Sequence, residues 1–122
     1  MNPGAEELKA RTRRFALEVI ALSRTFDKTP EADVVRRQLV KAACGVAGNY
    51  RHACRARSHA EFTAKIGVVL EEADESELWL GTTRDARFSQ SPELPRLFQE
   101  SRELMAIFSQ ANRTARSTRK GL

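Results

Sequence analysis

Apolar residues recur every three or four positions along most of the chain, with polar and charged residues between them. This spacing is typical of amphipathic α-helices that bury one face. It predicts four helices, over residues 5–26, 30–55, 58–81 and 91–116. No stretch alternates apolar and polar residues as a half-buried strand would. The pattern therefore predicts an all-α protein.

Three of the predicted helices begin with recognisable N-terminal signals. Thr29-Pro30-Glu31 and Ser91-Pro92-Glu93 each combine a hydroxyl cap, a proline at the first helical position and a carboxylate in the first turn. Ser58 and Glu61 have the spacing of a capping box that would start the third helix; the alternative is that the second helix continues through this point with a kink. Gly81 is predicted to end the third helix, and residues 82–90 to form a long polar loop. Four helices with short links predict an antiparallel up-down-up-down four-helix bundle.

The length of the chain indicates how many domains it forms, and its apolar runs indicate whether it spans a membrane. A length of 122 residues suits one domain, which we place at residues 1–116, followed by a basic flexible tail at 117–122. No run of about 18 apolar residues is present, so no membrane span is expected. The first residues lack the basic start and apolar middle of a signal peptide, and we expect a cytoplasmic protein.

The residues that commonly carry catalysis or bind metals form no recognisable constellation here. Di-iron bundles use Glu-x-x-His pairs, but Asn49 and Ala56 stand three positions before His52 and His59. A nucleophile built from Cys54 and either histidine lacks an orienting group. No catalytic residue, metal or cofactor is therefore predicted, and the protein is expected not to be an enzyme.

The two cysteines, Cys44 and Cys54, are the only ones in the chain. Ten residues of helix separate them by about 15 Å, too far for a disulfide. We expect reduced thiols that pack as small hydrophobic groups.

The net charge of +5 is unevenly distributed, with basic residues in 31–60 and after 112 and acidic residues in 61–90. One interpretation is that these charges pair, either across the second and third helices or between identical subunits. The other is that the cations form a phosphate-binding surface. The candidate nucleic-acid-binding residues are Arg36, Arg37, Arg51, Arg55, Arg57, Arg116, Arg119 and Lys120.

The second helix also carries small and polar residues that suggest close packing. Gly45 and Gly48 are unfavourable inside a helix, and we expect a neighbouring helix to approach them within or between subunits. Asn49 is expected to bond a neighbouring helix's backbone, or to be a buried polar group that fixes helix register. Trp79 is expected to be partly buried or to lie at an interface. The candidate oligomer-interface residues are Asn49, Tyr50, Arg55, Glu71, Glu72, Asp74, Glu75 and Trp79.

Several short motifs follow one another between Gln38 and Leu80, each occurring once. They are Gln38-Leu39-Val40-Lys41-Ala42-Ala43, Gly45-Val46-Ala47-Gly48-Asn49-Tyr50-Arg51, Arg55-Ala56-Arg57-Ser58, Glu61-Phe62, Lys65-Ile66-Gly67, Glu72-Ala73-Asp74-Glu75 and Leu78-Trp79-Leu80, with Glu103-Leu104-Met105-Ala106-Ile107-Phe108 near the C-terminus. In order and spacing the chain resembles the four-helix bundle proteins related to those encoded in 23S rRNA intervening sequences. It is also similar to the accessory proteins of diversity-generating retroelements.

The resemblance implies an up-down four-helix bundle that assembles as a ring of five. It also implies possible contacts with nucleic acid and with a protein partner such as a reverse transcriptase, and it transfers no catalytic residue. Gly81 and the polar segment after it depart from the family, in which the helix often continues. Two hypotheses follow: an oligomeric bundle that binds RNA or DNA without base specificity, or a structural adaptor whose charges serve protomer and protein contacts.

Overall fold

The structure is a computed structural model that describes residues 3–120, whose backbone forms four α-helices. These are α1 (Pro3–Ser23), α2 (Pro30–Cys54), α3 (His59–Ala86) and α4 (Leu94–Lys120). No residue in the described range is in a strand. The prediction of an all-α, four-helix protein is confirmed.

All four helices contribute to one hydrophobic core. Its members are the apolar residues that repeat every three or four positions, because this spacing places them on one face of each helix. The largest fully buried apolar side chains are Phe15, Phe108, Leu39, Ile66, Leu80, Leu97 and Leu104. At the core's aromatic contact, the rings of Tyr50 and Phe108 have centroids 5.3 Å apart.

The predicted N-terminal caps of α2 and α3 are confirmed. The backbone N–H of Ala32 donates to Thr29 Oγ1 at 3.2 Å, and that of Glu61 donates to Ser58 Oγ at 3.0 Å. The return bond of the second cap differs from a standard capping box, because the Glu61 carboxylate accepts from the N–H of Arg57 at 3.1 Å. These bonds satisfy N–H groups that the first turn leaves without helical partners.

The third helix is longer than predicted. Gly81 lies inside it, and α3 continues to Ala86 before Arg87 adopts a left-handed conformation with φ 58° and ψ 42°. The prediction that Gly81 ends the helix was wrong, and most of the expected loop is helical. Packing explains the difference: a Cβ at position 81 would lie only 3.3 Å from the Phe98 ring, so a glycine allows α4 to approach closely.

The fourth helix also extends beyond its predicted end at Arg116. It begins at Leu94, after the predicted start at 91–93, and continues to Lys120. Part of the segment 117–122 is therefore helical, and its flexibility remains a prediction. Residues 121–122 of that segment lie outside the described range.

Contacts between chain segments define two ends of the bundle. At one end the N–H of Asp27 donates to the carbonyl of Phe88 at 2.8 Å, which joins the two longer loops; we call this the loop end. At the other end His59 Nε2 lies 2.9 Å from the carbonyl oxygen of Ala115, which joins the start of α3 to the end of α4. Residues 55–58, which connect α2 to α3, lie at this second end, which we call the link end.

A cluster of charged side chains joins α1 to α4. Arg11 donates from Nε and Nη2 to both carboxylate oxygens of Glu100 at 2.8 and 2.7 Å, and from Nη2 to Glu103 at 2.9 Å. The hydrogen bond with Glu100, opposed in part by burial, raises the pKa of Arg11 above its usual value. A bidentate arginine–carboxylate pair fixes both distance and orientation, so this cluster positions the two helices against each other.

Candidate nucleic-acid interface

Three arginines at the end of α2 and in the α2–α3 link, Arg51, Arg55 and Arg57, are exposed to solvent. Arg51 and Arg55 form no ion pair within the described part of the chain, and neither is a hydrogen-bond donor through its side chain there. The Arg57 side chain is 92% exposed, and its Nε lies 3.9 Å from Glu61 Oε2, which makes a weak pair at most. The positive charges at this end are therefore largely available to a ligand.

Arg36 and Arg37 lie near the opposite end of α2. Both pair with Asp33, at 2.6 and 3.3 Å, and the hydrogen bond from Arg36 lowers the pKa of that carboxyl. At 1.5 Å per residue, Arg37 and Arg55 are separated by roughly 27 Å along the helix. The predicted nucleic-acid-binding residues therefore do not form a single patch.

The remaining candidates lie on α4. Arg116 is exposed and directly follows Ala115, whose carbonyl contacts His59, so it lies at the link end with Arg55 and Arg57. The side chains of Arg119 and Lys120 lie outside the part of the chain that the structure describes. The structure thus brings four of the eight candidates to one end: Arg51, Arg55, Arg57 and Arg116.

The acidic residues of α3 do not pair with these arginines within the chain. Glu71, Glu72, Asp74 and Glu75 make no ion pair within 4 Å in the described range. The expected pairing across α2 and α3 is therefore absent from this single chain, and pairing between subunits remains a hypothesis.

Glu72 is the most constrained of the acidic residues. A Cβ at Gly45 would lie 2.6 Å from its Oε2 atom, so its carboxylate lies directly against the α2 backbone. Burial raises the pKa of Glu72, and repulsion from Glu75 and Glu71 adds to this against the attraction of Lys41. The predicted close approach to Gly45 is thus made by a side chain of α3.

Among the candidate interface residues on α2, two are used inside the chain. Asn49 Nδ2 donates to the carbonyl of Gly45 at 2.9 Å. The expected bond to a neighbouring helix was wrong, because the side chain reaches the carbonyl one turn back in its own helix. Tyr50 is only 6% exposed, and burial raises its pKa, with a smaller contribution from the neighbouring Cys54.

The other predicted interface and cysteine positions divide between core and surface. Trp79 is half-buried and packs against the core, in agreement with the partly buried position expected. Cys44 and Cys54 are free thiols, as expected, but both are exposed. The expectation that they pack as small hydrophobic groups was wrong, because each lies off the buried stripe of α2.

The sequence interpretation missed a basic groove between α1 and α2. Lys9 and Arg13 from α1 and Arg51 from α2 line a groove of about 470 Å³, together with Glu6 and Gly48. The four-residue spacing of Lys9 and Arg13 places both on one face of α1. That spacing was visible in the sequence, but it did not show that this face lies beside Arg51.

The described residues were also compared with what a metal site and a membrane-spanning helix require. No group of three or more His, Cys, Asp or Glu side chains within the described range is arranged to hold a metal ion. No helix in that range combines the length and hydrophobicity that a membrane span requires.

The sequence and the fold of the chain are both similar to those of known proteins. The family model of the 23S rRNA-intervening sequence protein matches residues 6–118. A crystal structure of a protein of unknown function from the S23 ribosomal protein family of Bacteroides thetaiotaomicron aligns with a TM-score of 0.77. It is 22% identical and covers 86% of this chain and 97% of its own, a likeness that supports the fold. No curated protein sequence matches the chain.

Proposed function

The chain belongs to the 23S rRNA-intervening sequence protein family, and we propose that it is a non-enzymatic, oligomeric bundle that binds RNA or DNA without base specificity. The single observation that carries the proposal is the exposure of Arg51 and Arg55 at the link end without an ion pair in the described residues. Arginines kept exposed and unpaired are suited to phosphate oxygens, which they contact with two donors at once.

The same surface favours binding that ignores sequence. Phosphate contacts supply affinity and carry no base information. Stacking on aromatic rings would be the other sequence-tolerant route, but Tyr50 is buried against Phe108 and Phe62 packs against the hydrophobic core. Electrostatic attraction to the backbone is therefore the interaction that this surface is best able to make.

The assembly is part of the proposal. We infer an antiparallel up-down-up-down arrangement. Residue numbers that rise along α1 fall along α4, since Arg11 bonds Glu100 and Glu18 bonds Arg96, and Cβ atoms at Gly67 and Gly81 of α3 would likewise lie nearest Asn112 and Phe98 of α4. The short link at 55–58 makes α2 and α3 antiparallel neighbours. A ring of five such protomers is what the family resemblance implies. In a ring, the link-end arginines of several protomers would act together and increase avidity for one strand.

A second candidate function, a structural adaptor, is favoured by a groove between α3 and α4. This groove of about 510 Å³ is lined by Glu71, Asp74 and Glu77 among others. The Oε2 atom of Glu77 is buried and has no hydrogen-bond partner within the described range. Three carboxylates against the single cation Arg102 leave this groove acidic, so it suits an arginine or lysine from another protomer or from a protein partner such as a reverse transcriptase.

A salt series distinguishes the two functions. Fluorescence anisotropy with a labelled single-stranded RNA of mixed sequence should show that affinity falls as salt is raised. The logarithm of the binding constant should fall with the logarithm of the salt concentration, with a slope of roughly 0.7 per phosphate contact. Replacing Arg51 and Arg55 by glutamine should reduce that slope by roughly 1.4, since two contacts are lost. The matched control replaces Arg36 and Arg37 by glutamine, which removes the same charge from residues already paired with Asp33.

The outcomes lead to different conclusions. Nucleic-acid binding at the link end predicts a clear loss for the Arg51/Arg55 variant and little change for the control. Equal losses would mean that net charge alone attracts RNA. No binding by the wild-type protein, with loss of oligomer mass in the Arg51/Arg55 variant, would instead support the adaptor.

A further inference from the structure

Gly48 differs from Gly45 and Gly81 in its surroundings, since those two glycines are tightly packed and Gly48 is not. A Cβ at Gly45 would collide with Glu72, and one at Gly81 would lie 3.3 Å from the Phe98 ring. At Gly48 no atom of the described residues, apart from its chain neighbours and the backbone of its own helix, lies within 4 Å of the position a Cβ would take, and the residue is exposed. Nothing within the described chain therefore requires this glycine.

A glycine in the middle of a helix is less favourable than alanine, because it loses more backbone freedom on folding. Gly45 and Gly81 gain closer packing in return, but Gly48 gains none inside the chain. The lack of a side chain at this position instead leaves the backbone of α2 open to a group from outside. Its position in the basic groove between α1 and α2 indicates which kind of group that is.

The groove is lined by positively charged side chains and by small residues. Ala10, Ala47 and Gly48 leave room between α1 and α2, while Arg13 and Arg51 stand at its sides. Both arginines are exposed and form no ion pair in the described range. Of the three cations that line the groove, Lys9 is the one with an ion pair among the described residues, to Glu6 at 2.7 Å.

We infer that this groove seats the phosphodiester backbone of a nucleic-acid strand directly against Gly48, with Arg13 and Arg51 contacting phosphates from opposite walls. Close approach of a backbone to a ligand is a recurring use of glycine, and an unpaired arginine on each side matches the repeating charge of a strand. Arg51 lies one helical turn from Arg55, so the groove continues into the link-end surface. This inference rests on the proposed function and specifies where on that surface the strand runs.

Filling the groove tests the inference without removing charge. Gly48→Leu adds a good helix former where the chain has open space, so thermal unfolding should show no loss of stability. Its affinity for the labelled RNA should fall at least about tenfold, because the side chain occupies the strand's position. The matched control is Ala64→Leu on an exposed face of α3, which should bind as the wild type does.

Two variants that each remove one positive charge from α1 provide a second test. Arg13→Gln removes a groove cation, whereas Arg14→Gln removes an exposed cation that does not line the groove. Arg13→Gln should lower the salt slope by roughly 0.7, and Arg14→Gln should lower it by much less. Equal effects of the two variants would overturn the inference.

Failure of the groove and failure of the proposed function give different results. If Gly48→Leu binds RNA normally while the Arg51/Arg55 variant does not, the strand avoids the groove and only the inference is wrong. If the wild-type protein binds neither the labelled RNA nor a labelled DNA strand of the same length, both are wrong. If Gly48→Leu instead loses oligomer mass in light scattering, the groove seats a second copy of the chain, which also overturns the inference.

Discussion

The cluster around Arg11 gives a quantitative prediction about how the bundle is held together. The Glu100 side chain is 20% exposed and that of Arg11 is 30% exposed, so the pair is neither fully solvated nor fully buried. Exposed ion pairs contribute about 0–1 kcal/mol, and hydrogen bonds to charged groups contribute about 1.5–3 kcal/mol. We therefore expect Arg11→Ala to lower the free energy of unfolding by roughly 1–2 kcal/mol.

Chemical denaturation at fixed protein concentration measures this loss, and a double-mutant cycle with Glu100→Ala isolates the pair. The control is Arg14→Ala, an exposed residue of the same helix with no ion pair in the described range, which should change stability by less than about 0.5 kcal/mol. A coupling energy between Arg11 and Glu100 below about 0.3 kcal/mol would refute the argument, because the bidentate bonds would then contribute no more than a solvated pair.

Two further predictions concern α3. The raised pKa of Glu72 means that the folded protein holds this proton more tightly than the unfolded chain, so stability due to this group should fall as pH rises from the ordinary carboxyl range through the folded pKa. Glu72→Gln should remove that part of the pH dependence and stabilise the protein at neutral pH in urea titrations, and an unchanged pH profile would contradict the cause assigned here. Arg87 has a left-handed conformation, which costs a non-glycine residue about 1–2 kcal/mol. Arg87→Gly should therefore raise the unfolding free energy by roughly 0.5–1 kcal/mol, after subtraction of the entropy that a glycine loses on folding. A loss of stability in the same urea titration would show that the Arg87 side chain is needed.

The helices and the core were largely predictable because they follow local rules. The spacing of residues such as Phe15, Leu39 and Phe108 is set by the helical repeat, and the hydroxyls of Thr29 and Ser58 cap N–H groups only three residues away. These signals involve neighbours in sequence, so a single sequence contains them.

What was missed depends on neighbours that are distant in sequence. Gly81 has the local preference of a helix terminator, but its contact with Phe98 of α4 compensates for it. The groove required knowledge of which face of α1 lies beside Arg51. Asn49 was misjudged for the opposite reason, since its partner is local.

The measurement that tests the central claim most directly is photo-crosslinking of single-stranded RNA carrying 4-thiouridine, followed by mass spectrometry of the crosslinked peptides. Binding at the link end and the α1/α2 groove predicts crosslinks within residues 9–13 and 47–57, which disappear as salt is raised. Crosslinks confined to the loop end or to the α3/α4 groove around Glu71 and Asp74, or none at low salt, would contradict the account.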